Sequence, residues 1–412
     1  MSGSAPDVLV VGGGAVGVAC AYEIASAGGS VTLLERHPEV GLGCSYGNAG
    51  LVGASLALPL ATPEAIREGV RWMFDRAGPL HLPPRPALLP WLLTFARAST
   101  PRRFRQAMAA LTPMSRQSWQ LHLTYSDEGV VTGLERRGAV LTWETPRGFE
   151  SGVSVLRQGQ ASAVTTFSRE QACQEWPMIG HGVVGAAFLE NIAHVDSREW
   201  TMDVARAAAE LGACIKTGES VVRIVRDGRR ATAVETKSGK LTAGAVVVAA
   251  GVWTRDLLRP YGVRLLMEAG KGYHVDMAAE PSDAPLPIFM QESHVVATPL
   301  KRCLRLAGTL ELTGLETSID KRRIGAIIGS ANRNLKHVGN RTIKEVWAGL
   351  RPCAADGMPI IGRLAHFENV LIATGHAMLG LFLAPATGRL ISRLLASEPL
   401  DFNIDAFRPE RF

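Results

Sequence analysis

The sequence predicts an α/β domain on a parallel sheet, joined to a second domain of α+β type built on a mixed, largely antiparallel sheet. Three observations carry this. Residues 7–35 run strand, glycine turn, helix, strand, acid: Val8-Leu-Val-Val11 breaks into Gly12-Gly-Gly14-Ala-Val-Gly17, small residues follow through Ala19, Cys20, Ala21 and Ile24, and a second apolar run, 31–34, ends on Glu35. That is the Rossmann-like order and spacing of a dinucleotide site. Residues 245–250 form a continuous apolar strand, as expected of a strand covered on both faces of a parallel sheet. Residues 111–195 and 262–346 instead hold short alternating segments such as 138–143 and 272–277, which read as antiparallel strands. The dinucleotide-binding domain is therefore expected in three pieces, 1–85, 196–260 and 346–412. The substrate-binding domain is expected to take the intervening stretches, 86–195 and 261–345.

Each glycine of the first turn has a mechanical task. Gly12 makes the tight turn, Gly14 lets a pyrophosphate approach the backbone, and Gly17 lets helix and strand pack closely. The helix start offers unpaired N–H groups and partial positive charge to phosphates. Glu35 stands where a carboxylate accepts from a ribose hydroxyl.

The totals bound the rest. A chain of 412 residues, 47% hydrophobic and 20% charged, suits a soluble two-domain protein. A net charge of +6 favours anionic ligands mildly and is too diffuse for nucleic acid. The six cysteines (Cys20, Cys44, Cys173, Cys214, Cys303, Cys353) form no CxxC pair, so neither a metal site nor a disulfide is expected. No signal-peptide pattern precedes the first strand, and no run of 18 apolar residues occurs. The expected location is cytoplasmic, with peripheral contact at the inner face of the cell membrane.

After Glu35 comes a glycine-rich loop, Gly41-Leu-Gly-Cys-Ser-Tyr-Gly-Asn-Ala-Gly50, of the kind that approaches ligands closely. A helix is expected over 63–76, and a proline-rich domain crossing over 81–86. The apolar stretch 88–98, with Trp91, Leu92, Leu93 and Phe95, runs into Arg97, Arg102, Arg103 and Arg105. Apolar residues beside a basic cluster suit an anionic membrane surface, so peripheral contact is expected through 88–105. Further helices are expected at 113–127, 197–211 and 320–333. A hairpin turns on Asp227-Gly228, a strand is expected at 370–374, and a helix from about Gly380 to Ala396 closes the chain.

Several stretches together resemble one family. They are 8–17 with Glu35, Ser45-Tyr-Gly-Asn-Ala-Gly50, Arg71-Trp-Met-Phe74 with Ala77-Gly-Pro-Leu80, 246–253, Lys271-Gly-Tyr273, Gly349-Leu-Arg-Pro352 with Asp356-Gly-Met-Pro359, and Thr374-Gly-His376 with Gly380. The chain resembles FAD-dependent amino-acid oxidoreductases of the D-amino-acid oxidase superfamily. It is most similar to bacterial D-amino-acid dehydrogenases of the small-subunit type, with glycine oxidase and D-hydroxyproline dehydrogenase as relatives. The resemblance runs the full length. The first turn is common to many flavoproteins; its combination with Gly-Leu-Arg-Pro and the late Thr-Gly-His is far more specific.

The resemblance implies FAD as cofactor. Gly12, Gly14 and Gly17 would hold the pyrophosphate, with Ala15 and Val16 between them, and Glu35 the adenosine ribose beside Arg36. Ser45, Asn48, Ala49, Gly50 and Leu51 would wrap the ribityl chain and flavin edge. Val221 would touch the adenine, while Ala250, Gly251 and Trp253 close on the cofactor. Gly375, His376, Met378, Leu379, Gly380 and Leu381 would lie against the flavin. Arg351 is implied as the clamp on the substrate carboxylate, since a planar guanidinium matches a carboxylate with two parallel bonds. His294 takes the strand position where many relatives carry a carboxylate-binding tyrosine. Tyr273 is a candidate for the pocket wall, with His274 facing oppositely.

The implied reaction is oxidative deamination of a small amino acid, a D-amino acid or a proline-like imino acid, by hydride transfer from Cα to flavin N5. The electrons pass to a quinone or another acceptor. A glycine- or sarcosine-type oxidase using O2, and a D-hydroxyproline dehydrogenase, stay open. Two rivals are an NAD-dependent dehydrogenase, because the same glycine turn binds NAD, and a flavin-binding RNA-modifying or scaffold protein. The scattered basic charge argues against the latter.

Overall fold

The computed structural model describes residues 7–66, 69, 80–82, 85–158 and 164–412. Most of the stretch Arg71-Trp-Met-Phe74 with Ala77-Gly-Pro-Leu80, the helix expected over 63–76 beyond residue 66, and Pro83 and Pro84 of the proline-rich crossing lie outside the described residues.

Strand Val8–Val11 sits inside a six-stranded sheet. The order is Ile360–Arg363, Val370–Thr374, Ala245–Val248, Val8–Val11, Val31–Leu34, Cys214–Lys216. All neighbours are parallel except the edge strand Ile360–Arg363. One face carries helices Ala15–Ser26, Ser197–Glu210 and Ala384–Ala396, which bury Val18, Trp200, Val204, Leu390 and Ile391 against Val8, Val10, Leu33, Val247 and Leu371. The other face is covered by a small antiparallel sheet, Val221–Asp227, Arg230–Thr236 and Lys240–Thr242, through Ile224 and Val234 on Leu9, Val11, Val246 and Ile372. Cover on both faces is why the inner strands Val8–Val11, Val31–Leu34, Ala245–Val248 and Val370–Thr374 read as near-continuous apolar runs: nearly every side chain on them leaves water.

A nine-stranded sheet forms the second body. Its main path runs Ile343–Ala354, Met267–Ala278, Cys303–Glu311, Val295–Leu300, Ile288–Met290, Ala139–Trp143, Gly185–Leu189, Val164–Ser168, with Leu80–His81 added on Cys303–Glu311. It is mixed: the pairings of Ile288–Met290 with Ala139–Trp143 and of Leu80–His81 are parallel, the others antiparallel. Helix Lys321–Asn334 packs Ile324, Ile327 and Ala331 on one face, against Tyr273, Val275, Leu304 and Leu306.

Two expectations shift here. The strand bearing Arg351 continues the large sheet to Ala354, so the chain returns to the six-stranded sheet after 354, not at 346. His294 is not on a strand. It is exposed, with φ +51°, and ends the turn before Val295–Leu300.

Helix Leu89–Ala98 follows a short 3-10 turn, Pro86–Leu88. It leaves Leu89 and Leu93 exposed and buries Trp91, whose Nε1–H donates to the Cys353 carbonyl at 2.9 Å. Among the described residues no helix is long and apolar enough to cross a membrane.

Candidate cofactor and substrate site

The site grows from the end of strand Val8–Val11. Gly12 has φ +113°, and a β-carbon there would come 2.5 Å from the Ala249 carbonyl oxygen, so only glycine makes this turn. A β-carbon on Gly17 would overlap the Gly12 carbonyl itself. Gly14 caps helix Ala15–Ser26 without a side-chain bond; instead the Ala15 N–H donates to Ser45 Oγ at 2.9 Å. The remaining N–H groups of that first turn and the helix dipole favour an anion beside them. The Glu35 carboxylate is buried and accepts from Gly13 N–H at 2.6 Å and His37 N–H at 2.9 Å. Each carboxylate oxygen keeps a free lone pair.

Beside this turn lies a cavity of about 420 Å³. Its walls draw on the three chain segments that meet in the six-stranded sheet. From the N-terminal segment come Gly12, Gly14, Ala15, Val16, Glu35, Arg36, Ser45 and Asn48. The middle segment supplies Val221, Ala250, Gly251 and Trp253, and the C-terminal one His376, Gly380 and Leu381. The Arg36 guanidinium sits 3.5 Å over the Trp253 ring, a cation–π contact that closes one end.

Other residues named from the sequence stand elsewhere. Gly17 lies behind the turn, in helix–strand packing. Ala49, Gly50 and Leu51 lead away from the cavity: the Ala49 carbonyl accepts from Thr298 Oγ1 at 2.7 Å, the Gly50 carbonyl from Val195 N–H at 3.0 Å, and Leu51 pairs with His194. Gly375 forms the turn (φ +75°) that carries the chain into His376, Met378 is 42% exposed, and Leu379 packs into the core of the first body. Tyr273 is not on the cavity wall. It points to the helix Lys321–Asn334 side of its sheet and donates to Glu311 Oε2 at 2.7 Å. Its neighbour His274 takes the face turned to loop 41–50, where Gly47 packs on it. Wall residues that sequence reasoning missed include Cys44, Ser220, Asp256, Leu350, Pro352 and Thr374. Each adjoins or lies near a named one, which is the signal that could have found it.

Arg351 is half-buried and is not itself on the cavity wall, although its chain neighbours Leu350 and Pro352 are; its guanidinium lies over Gly272. Its Nη1–H donates to the Thr309 carbonyl at 2.8 Å, and among the described residues no carboxylate pairs with it. Most of its donors remain for an incoming anion. Burial raises the Cys44 thiol pKa, an effect that nearby Arg351 partly offsets, so Cys44 stays a neutral thiol. His376 is buried, with Nε2 3.0 Å from Thr387 Oγ1, and burial drives its pKa down to about 3. The imidazole is neutral across the working range. A backbone bridge between Cys353 and His376 joins the Arg351 strand to this turn, so the two bodies meet at the cavity.

A family model described as FAD dependent oxidoreductase matches residues 7–394. A "D-amino acid dehydrogenase" of Bradyrhizobium diazoefficiens is 30% identical, covering 98% of each chain. One of Methylobacterium nodulans is 32% identical, covering 94% of each. Glycine oxidase from Bacillus cereus superposes with a TM-score of 0.77 at 21% identity, over 97% of this chain and 99% of that one. L-proline dehydrogenase from P. horikoshii superposes with 0.76 at 19% identity, over 99% and 98%. At those identities the structural likeness speaks for the fold.

Proposed function

Because the chain belongs to the FAD dependent oxidoreductase family, we propose that it is an amino-acid dehydrogenase, oxidising the Cα–N bond of a D-amino acid or a proline-like imino acid. The observation that carries the reading is Arg351, a half-buried guanidinium whose chain neighbours Leu350 and Pro352 line the cavity, with one backbone partner and no carboxylate among the described residues. The cavity fits the cofactor: Gly12, Gly14 and the helix start suit its phosphates, Glu35 its ribose, and Gly251 opens where a β-carbon would meet nothing within 4 Å. FAD bound there supplies the two-electron acceptor for the hydride leaving Cα.

The chain's own residues bind and orient. Arg351 clamps the substrate carboxylate by two parallel bonds, and Thr309, through its carbonyl, fixes the guanidinium plane. Leu350, Pro352 and Leu381 give an apolar wall that keeps water from the reacting carbon. His376, neutral and facing Thr387, is not a base for Cα. The amine reacts in its neutral form, so no protein base is needed at Cα. The imine produced from an acyclic substrate hydrolyses to a keto acid and ammonia; a cyclic one persists.

The acceptor in this reading is a membrane quinone. Exposed Leu89 and Leu93, beside exposed Arg97 on the same helix and Arg102, Arg103 and Arg105 at the start of the next, support it, as does the Trp91 bond that ties helix Leu89–Ala98 to the Arg351 strand.

An anaerobic bleaching screen over D- and L-amino acids, glycine, sarcosine and the proline isomers tests the reaction. Rapid bleaching by a D-amino acid or proline-like compound is expected. Arg351→Ala is expected to keep its FAD and raise the half-saturating substrate concentration at least about thirtyfold, the loss of roughly 2 kcal/mol from a charged hydrogen bond. Flavin that no amino acid bleaches overturns the reading.

A further inference from the structure

We propose that His274, Asp276 and Glu345 form a binding site for a divalent transition-metal cation that fastens loop 41–50 to the large sheet. His274 and Asp276 are two apart on strand Met267–Ala278 and so share a face. Glu345 stands directly opposite Asp276 on strand Ile343–Ala354. One ligand atom from each lies within 4.8 Å of the others.

The imidazole is the second, independent observation. The His274 side chain is fully buried, its Nδ1 backs onto Gly47, and its Nε2 has no hydrogen-bond partner. Nε2 faces Asp276 Oδ1 at 3.8 Å and Glu345 Oε2 at 3.6 Å, both beyond hydrogen-bond reach. A buried polar group left unmatched is costly. Lone-pair atoms held together at these separations match ligands around an ion: bonds of about 2.0–2.1 Å in tetrahedral geometry place neighbouring ligand atoms about 3.4 Å apart. One imidazole and two carboxylates suit Zn2+, Co2+, Mn2+ or Fe2+ and offer no thiolate to a soft ion.

The surrounding groups fix the ligands from behind, as outer partners of metal sites do. Tyr46 donates its O–H to Glu345 at 2.9 Å. Arg305 donates to both oxygens of Asp276, at 2.9 and 2.8 Å. Arg305 offsets Asp276, which leaves Glu345 as net charge and so a negative site. The same cluster grips the loop. Arg305 donates to the carbonyls of Tyr46 and Asn48, and a β-carbon on Gly47 would come 2.6 Å from His274 Nδ1. An ion here would hold Ser45 and Asn48 at the cavity wall.

Binding is measured on the purified FAD-loaded protein after chelator treatment, by titration with Zn2+ and Co2+ salts. The expected result is one ion per chain, Co2+ absorption at wavelengths beyond the flavin bands, and a rise in melting temperature with Zn2+. His274→Gln and Glu345→Gln should each weaken binding at least about tenfold while keeping FAD content. Glu345, partly exposed, decides the matter should His274→Gln fail to fold. No ion retained by the wild type, or equal affinity in Glu345→Gln, overturns the site. No turnover is read, so the outcome is independent of the proposed amino-acid oxidation.

Discussion

The guanidinium of Arg351 lies across the α-carbon of Gly272, where any β-carbon would collide with it. The two strands pair so that Gly272 stands opposite Gly349; the missing side chain of Gly272 leaves the lane through which Arg351 extends, and that of Gly349 leaves room for the Trp347 ring. Gly272→Ala is therefore expected to push the guanidinium off the Thr309 carbonyl. Steady-state kinetics should show KM rising about tenfold or more with FAD content unchanged. An unaltered KM would detach Arg351 from substrate binding.

Gly17→Ala should act on the cofactor instead. The new methyl overlaps the Gly12 carbonyl, which is backbone and cannot swing away. Core overpacking costs about 1–3 kcal/mol, and here the strain falls on the phosphate turn itself. The purified variant is expected to be largely colourless, read from the flavin-to-protein absorbance ratio.

Two buried histidines set a lower pH limit on stability. Burial pushes His122 down to about 4, despite the Phe382 carbonyl 3.0 Å from Nε2, and His376 to about 3. Unfolded, each takes up a proton near pH 6.5. With the folded value below the unfolded one, their contribution is complete above about pH 6.5 and is lost as pH falls towards 4 and 3. By pH 5 the loss is about 2 kcal/mol for each. Urea denaturation at pH 7 and 5 should show it, and His122→Gln should reduce the difference between the two by about 2 kcal/mol. An equally steep profile in that variant refutes the assignment.

Membrane contact through Leu89–Ala98 is tested with Leu89→Asp and Leu93→Asp. Cosedimentation with anionic vesicles should drop sharply in both, and added salt should weaken wild-type binding, since the arginine contribution is screened. FAD content should not change, because neither residue borders the cavity. Wild-type protein that stays in the supernatant ends the idea.

Gly325 is exposed on helix Lys321–Asn334, and a β-carbon there meets nothing within 4 Å. Gly325→Ala is expected to raise unfolding free energy by about 0.5–1 kcal/mol through helix propensity alone. Urea titration checks it.

What the sequence made legible was local. The turn at Gly12, the continuous apolar strands and the hairpin, whose turn falls one residue later than expected at Gly228-Arg229, announce themselves because backbone conformation and two-sided cover leave marks in consecutive residues. The strand Met267–Ala278 shows where that fails. It is buried along nearly its whole length, with helix Lys321–Asn334 on one face and loop 41–50 on the other. Alternation then carries no inside and outside, so the face assigned to Tyr273 belongs to His274. His294 leaves the expected strand for another reason: a φ of +51° is uncommon for a residue with a β-carbon, and nothing in the neighbouring sequence signals it. The ligand set His274, Asp276 and Glu345 comes from strands far apart in the chain, and only their pairing register brings it together.

The strand order of the six-stranded sheet also governs how the protein is made. Val8–Val11 can pair with Val31–Leu34 almost at once, but its other edge waits for Ala245–Val248, and that strand waits for Val370–Thr374. At ribosomal speeds of about 5–20 residues per second, the first edge stays open for on the order of tens of seconds. An unpaired apolar edge recruits other strands, including those of neighbouring nascent chains. Yield from the ribosome should therefore depend on chaperones that shield the first strands until the last ones emerge, and slowing translation between residues 34 and 245 should cost more soluble protein than slowing it after 374.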